Sequence, residues 1–350
     1  MEKLASSSSL RRRLWPLCAV LGVALLGSSP THAADTTSLK VVLPFSFQGA
    51  LGNWTLSETN GCYKREGLSV TIDGGAGSGD ALTKVATGAY EIGIADFTSL
   101  LLFNAKQPEQ GLMAAYIMVD RAPTSIVALK SSGIKTPKDL AGKKIGDNVG
   151  EASRELFPAF AAANGIDPAG VSWINVAPNL RQPSLMRGEF DAAAGHMYTI
   201  TSGLRAIGVK DEDVVVMPYA NYGVDIFGNT AVVKSSWATA HAAALKAFMV
   251  CAAEGMKGAI ANQQAAVDSL KPHNSMLDEK QALNELNFSN EFSVLTPNVK
   301  KNGLSNVDPA RLEKILGQIS LAYSIPKPEA DKVWTAAYLP PAKDRMVSAP

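Results

Sequence analysis

The chain has 350 residues, long enough for two lobes that each bury a core. Lys and Arg total 33 against 32 Asp and Glu, so the near-neutral balance argues against nucleic acid or an anionic membrane surface as partner. Three cysteines exclude a disulfide framework.

At the N-terminus, Arg11, Arg12 and Arg13 precede the apolar run 14–27 and the small residues SSPTHAA. This pattern predicts a signal peptide over 1–33, cleaved after Ala33 or Ala34, and hence a periplasmic protein. The apolar run is shorter than the roughly 20 residues a membrane span needs. Cys18 follows Trp-Pro-Leu rather than the small residue a lipid-attachment site requires. After cleavage Cys62 and Cys251 remain, and one bridge or two buried thiols are equally compatible with the spacing.

From Leu39 onward short β-branched runs alternate with helical stretches. Strands are predicted at 40–44, 68–72, 91–95 and 126–130, then at 144–147, 172–176, 190–195, 214–217 and 231–234. Such alternation indicates α/β architecture with mostly parallel sheets. Lobe one is expected over 39–130, lobe two over 131–230, and a return to lobe one with C-terminal helices over 231–350. Helices are predicted in 238–262 and 278–290, and Pro309 and Pro328 each fit a first-turn proline. Gly88, Tyr90, Glu91 and Asp96 recur as Gly188, Phe190, Asp191 and His196. If this echo is a duplication, Asp96 and His196 sit at equivalent strand ends.

Ligands of open α/β sheets bind beyond the carboxyl ends of the strands, so the strand exits hold the candidate site. The first exit carries Phe45, Phe47 and Gln48, with Trp54 in the next helix; one of the two phenylalanines is expected to pack under that helix. The second, Gly74 to Asp80, exposes backbone around Ser78 and Gly79. Its Asp80 either repels an anion or caps the helix and pairs with Lys84. At the third, Asp96 either caps the helix at Thr98 or accepts from a ligand donor. The fourth offers Asn148 and Ser153, with Arg154, Arg181 and Arg187 as cations for an anionic ligand. His196 and Tyr198 form the fifth, and Tyr222, Asp225 and Phe227 the sixth. The four histidines are scattered and no HExxH, CxxC or GxSxG occurs, so neither a metal, a cofactor nor a catalytic set is expected.

The segments NWTLSETNGCYKREGLSVTI, GSGDALTKVATGAYEIGIADFTSLL, GIKTPKDLAGKKIGD, SRELFPAFAAANGIDPAGVSWINV and LMRGEFDAAAGHMY together resemble the solute-binding proteins of nitrate, sulfonate, taurine and thiamine-precursor ABC importers. The resemblance covers roughly 40–270. It implies a type II periplasmic-binding-protein fold, two lobes joined by two hinge crossovers that close on a small molecule. A monomer that hands its ligand to a membrane permease and ATPase is implied as well. Candidacy for ligand contact passes to Gln48, Trp54, Ser78, Asp96, Asn148, His196 and Asp225. The polar, aromatic first exit and Asp80 depart from an anion-binding pattern, leaving aromatic, heterocyclic or amine-bearing ligands open. Thiamine-pyrimidine synthases and menaquinone-pathway enzymes share related architecture. This chain lacks the cysteine-rich motif of the former. A periplasmic sensor would read identically in sequence.

Overall fold

Runs of apolar residues from Thr37 onward form strands, and the helices between them cover the sheet faces. The computed structural model describes residues 36–148, 151–177 and 180–347. The expected signal peptide and Cys18 lie outside these described residues.

The chain begins β1 (Thr37–Val42), α1 (Gly52–Thr59), α2 (Cys62–Arg65), β2 (Leu68–Asp73), α3 (Ser78–Ala86), β3 (Ile92–Asp96), α4 (Phe97–Lys106) and β4 (Leu112–Ile117). It continues through β5 (Thr124–Leu129), β6 (Lys144–Asp147), α5 (Ala152–Glu155), α6 (Phe157–Ala163), β7 (Ser172–Asn175), α7 (Arg181–Met186), β8 (Ala192–His196), α8 (Met197–Ala206) and β9 (Val214–Pro218). It then returns as β10 (Asn229–Lys234) and ends in helices α9 (Ser235–Ala240), α10 (Ala242–Ala261), α11 (Gln263–Asp268), α12 (Glu279–Phe288), α13 (Pro297–Asn302), α14 (Pro309–Tyr323), α15 (Ala330–Val333) and α16 (Ala342–Arg345).

Two five-stranded sheets result, ordered β2-β1-β3-β10-β4 and β7-β6-β8-β5-β9. In each, the strand contributed by a crossover, β10 or β5, runs antiparallel to both neighbours. The other pairings are parallel. Central strands β3 and β8 are covered on both faces, which is why they read as unbroken small or apolar runs rather than as alternation. No helix among the described residues is long and apolar enough to cross a membrane.

Two expectations change here. The strand predicted at 126–130 was assigned to lobe one, but β5 pairs with β8 and β9 in the second sheet, so the crossover falls near 118–123. Strand β4 was not anticipated, because LMAAYI mixes alanines with one aromatic and lacks a period-two pattern. Pro309 does open α14, capped by Asp308, whereas Pro328 precedes α15 by two residues. The two crossovers lie side by side: Gly228 N–H donates to the Val119 carbonyl at 2.9 Å and Ala122 N–H to that of Ile226 at 2.8 Å.

The internal echo is carried into hydrogen bonding. Gly88 and Gly188 end their helices at φ of 76° and 72°, backbone that glycine adopts without strain. Glu91 then accepts the Lys40 N–H at the start of the first sheet, and Asp191 accepts the Lys144 N–H in the second. Cys62 and Cys251 are disulfide-bonded, tying α2 to α10.

Candidate functional site

Five strand exits converge on a cavity of about 340 Å³ between the sheets. From the first sheet come Phe45, the loop Ala76–Asp80, Asp96 and Ser99. The second contributes Asn148, Glu151, Ala152 and His196, and Asn229 enters from the returning crossover.

Each wall is built by local sequence. The Gly-rich loop lets the backbone turn tightly onto the first exit: Gly75 N–H donates to the Phe45 carbonyl at 3.1 Å and Gly77 N–H to that of Pro44 at 2.6 Å. Ala76 N–H donates to Asp80, whose carboxylate also pairs with Lys84 at 2.8 Å. The Lys84 ammonium and the Ala76 amide hold the Asp80 carboxyl below its usual range. Asp96 caps α4, accepting from Thr98 N–H at 2.9 Å and Ser99 N–H at 3.3 Å, and its own N–H donates to Ser78 Oγ at 3.0 Å. Burial pushes the Asp96 carboxyl up to about 6 against those amides. Opposite, His196 precedes α8 with Nδ1 3.1 Å from the Tyr198 hydroxyl. Burial, with Arg181 nearby, lowers its imidazole to about 4, so it is neutral at physiological pH.

Of the residues singled out in the sequence, Phe45, Ser78, Gly79, Asp80, Asp96, Asn148 and His196 line this cavity. The others go elsewhere. Trp54 is fully buried in the first-lobe core, stacked 5.7 Å from Phe248. Phe47 stacks on His273 at 4.6 Å, and it is Phe45 that faces the cavity. Gln48 precedes the turn Gly49–Leu51, outside the lining. Ser153 is buried and donates to Asp147 at 2.6 Å. Tyr198 lies behind His196, and Asp225 sits on the returning crossover beside Arg121 and Arg311. The expected cations are likewise committed: Arg181 lies 2.8 Å from Asp147, Arg187 pairs with Glu189, and Arg154 lies over the Trp173 ring.

Ser99, Glu151 and Asn229 were missed. The first two sit in exits already recognised, three residues past the residues chosen. Asn229 opens β10, and nothing in sequence separates it from a loop asparagine. Among the described residues, no group of three or more His, Cys, Asp or Glu is placed to hold a metal ion.

Comparison with known proteins fits this geometry. The periplasmic aliphatic sulphonate-binding protein of Escherichia coli superposes with a TM-score of 0.68 at 15% identity, covering 85% of this chain and 92% of that one. The periplasmic nitrate-binding protein of Synechocystis gives 0.63 at 11% identity, covering 87% of each. At such identities the likeness is one of fold. Among curated sequences, 4-amino-5-hydroxymethyl-2-methylpyrimidine phosphate synthase of Legionella pneumophila is 27% identical over 135 residues, 39% of this chain and 42% of the enzyme. The match therefore spans less than half the length of that relative. The sequence model described as NMT1/THI5 like matches residues 53–266, more than half of the chain. The protein belongs to the NMT1/THI5-like family.

Proposed function

We propose that the protein is the substrate-binding component of an ABC-type importer, capturing a small solute between its lobes outside the cytoplasm. The observation that carries this reading is the cavity itself, walled by strand exits of two sheets that are joined by paired crossovers. A site split between lobes couples occupancy to closure, because each lobe supplies part of the contacts and ligand favours the form in which both are made. The closed form is then the signal read by a permease and ATPase. The N-terminal leader pattern and the Cys62–Cys251 bridge, which persists in oxidising compartments, support a periplasmic location. Ser78, Gly79, Asp96, Asn148 and His196 are the residues proposed to face the solute, joined by Phe45, Glu151 and Asn229.

A thermal-shift screen identifies ligands, since binding to the folded state raises apparent stability. Small-angle scattering of the protein saturated with a hit then shows compaction; an unchanged radius at saturation counts against hinge closure. The pyrimidine phosphate synthase relatives favour a second reading, an enzyme on the same scaffold. Conversion of a bound hit to product, rather than its recovery intact, would select that reading.

A further inference from the structure

An importer of oxyanions needs free backbone amides or cations at the mouth of its cleft. At the Gly-rich loop and at α4 the protein has already filled those positions with its own acceptors, while the N-termini of α3 and α8 carry no side-chain cap. In the Gly-rich loop the amides of Gly75, Ala76 and Gly77 all donate within the protein, to Phe45, Asp80 and Pro44. At α4 the first three amides are also taken, Phe97 by the Gly228 carbonyl and Thr98 and Ser99 by the Asp96 carboxylate. A helix N-terminus that would hold an anion thus holds a side-chain carboxylate instead. On the opposite wall Asn148 N–H donates to Asp147, and Asp147 also neutralises Arg181.

The charge that remains is negative. No Lys or Arg is among the described residues lining the cavity, and His196 is its single basic group. Asp80 is offset by Lys84, whereas Asp96 and Glu151 face the cavity from opposite lobes with no cation beside them in the lining. Two carboxylates brought together in a closing, desolvating cleft repel each other unless the guest supplies compensating positive charge.

Building on the solute-binding reading, we propose that the cleft selects a solute presenting a protonated amine or amidine to Asp96 and Glu151, and discriminates against oxyanions. The uncapped α8, which has no acidic residue in its first turn, offers amides on the His196 side of the cavity that suit a hydrogen-bond acceptor on the remainder of such a solute.

The test is a thermal-shift and scattering panel on the purified protein, using primary amines and amidines of graded size, sulfonates and carboxylates on the same skeletons, and nitrate. Stabilisation and compaction are expected among the cationic members. Affinity should fall about tenfold or more in Asp96→Asn and in Glu151→Gln, the scale of a lost charged hydrogen bond. Asparagine is itself a good N-cap, so Asp96→Asn keeps α4 intact, and Glu151→Gln tests the other wall independently. A sulfonate, carboxylate or nitrate that compacts the protein overturns the inference while leaving the solute-binding reading standing. Failure of every member to compact it overturns both.

Discussion

His196 and Asp96 occupy equivalent strand ends, yet burial moves them in ways that pull stability in opposite directions. The imidazole is held near 4, below the roughly 6.5 of an unfolded chain. Between those values the unfolded state binds more protons, so this contribution is lost as pH falls through the window. The Asp96 carboxyl is raised to about 6, above the unfolded value of about 3.9. Its contribution is fully present below about 4 and is lost as pH rises through about 6. In the wild type the two slopes oppose each other between about 4 and 6, and single variants should separate them. Urea titrations of His196→Asn are expected to lose the acid-side decline, and those of Asp96→Asn the decline on raising pH. An imidazole that titrates near its ordinary value by NMR would remove the first half of this account. Arg181 poses a different residue-scale test. Its removal strands Asp147, which is fully buried, so Arg181→Met should cost about 3 kcal/mol or more of stability, read from chemical denaturation.

At the scale of elements, the Cys62–Cys251 bridge fixes α2 and β2 against the long α10, which packs on α1. It closes a loop of 189 residues. In the chain-entropy account a loop that long contributes about 5 kcal/mol, an upper bound where the unfolded chain keeps structure. Cys62→Ser with Cys251→Ser should therefore lower the denaturation midpoint sharply, and reducing agent should do the same to the wild type while leaving the double variant unchanged. The sequence left this pairing open because Cys62 and Cys251 are brought together only by the packing of α2 on α10. Elements whose signal is local were legible, namely nine of the ten strands among the described residues, the capping of α4 by Asp96 and the Pro309 start of α14. Strand β4 was not, since two alanines and a tyrosine carry no strand period until β10 lies beside them. The site divides in the same way. Exits were found from strand ends, whereas Trp54 and Phe47 turned inward because an aromatic ring can be satisfied equally by Phe248, by His273 or by a guest.

For the whole molecule, the proposed closure requires the two sheets to stay held together while the crossovers between them bend. Arg311, on α14, reaches both. Its Nη1 donates to Asp120 Oδ1 at 2.9 Å and its Nη2 to the Asp120 carbonyl at 2.5 Å, both on the outgoing crossover. The same Nη2 lies 3.3 Å from Asp225 on the returning one, and the guanidinium sits 4.5 Å over the Phe227 ring. Asp120 is buried, and it is further held by Thr296 and Asn298. This arrangement makes α14 a brace across the two crossovers, with one planar cation forking to two chain segments in a way lysine cannot reproduce. Arg311→Met should destabilise the protein by about 3 kcal/mol, because it leaves the Asp120 carboxylate short of its charged partner. Global loss of stability alone would speed exchange everywhere. A brace predicts more: the amides of Ala122 and Gly228, which bond the crossovers to each other, should lose hydrogen-exchange protection disproportionately, while those of β1 and β3 keep theirs. Loss spread evenly over both sheets would show that Arg311 contributes only to overall stability. With the crossovers selectively loosened, an altered affinity for a compacting solute, at unchanged lining residues, would place the control of closure in the hinge rather than in the cleft.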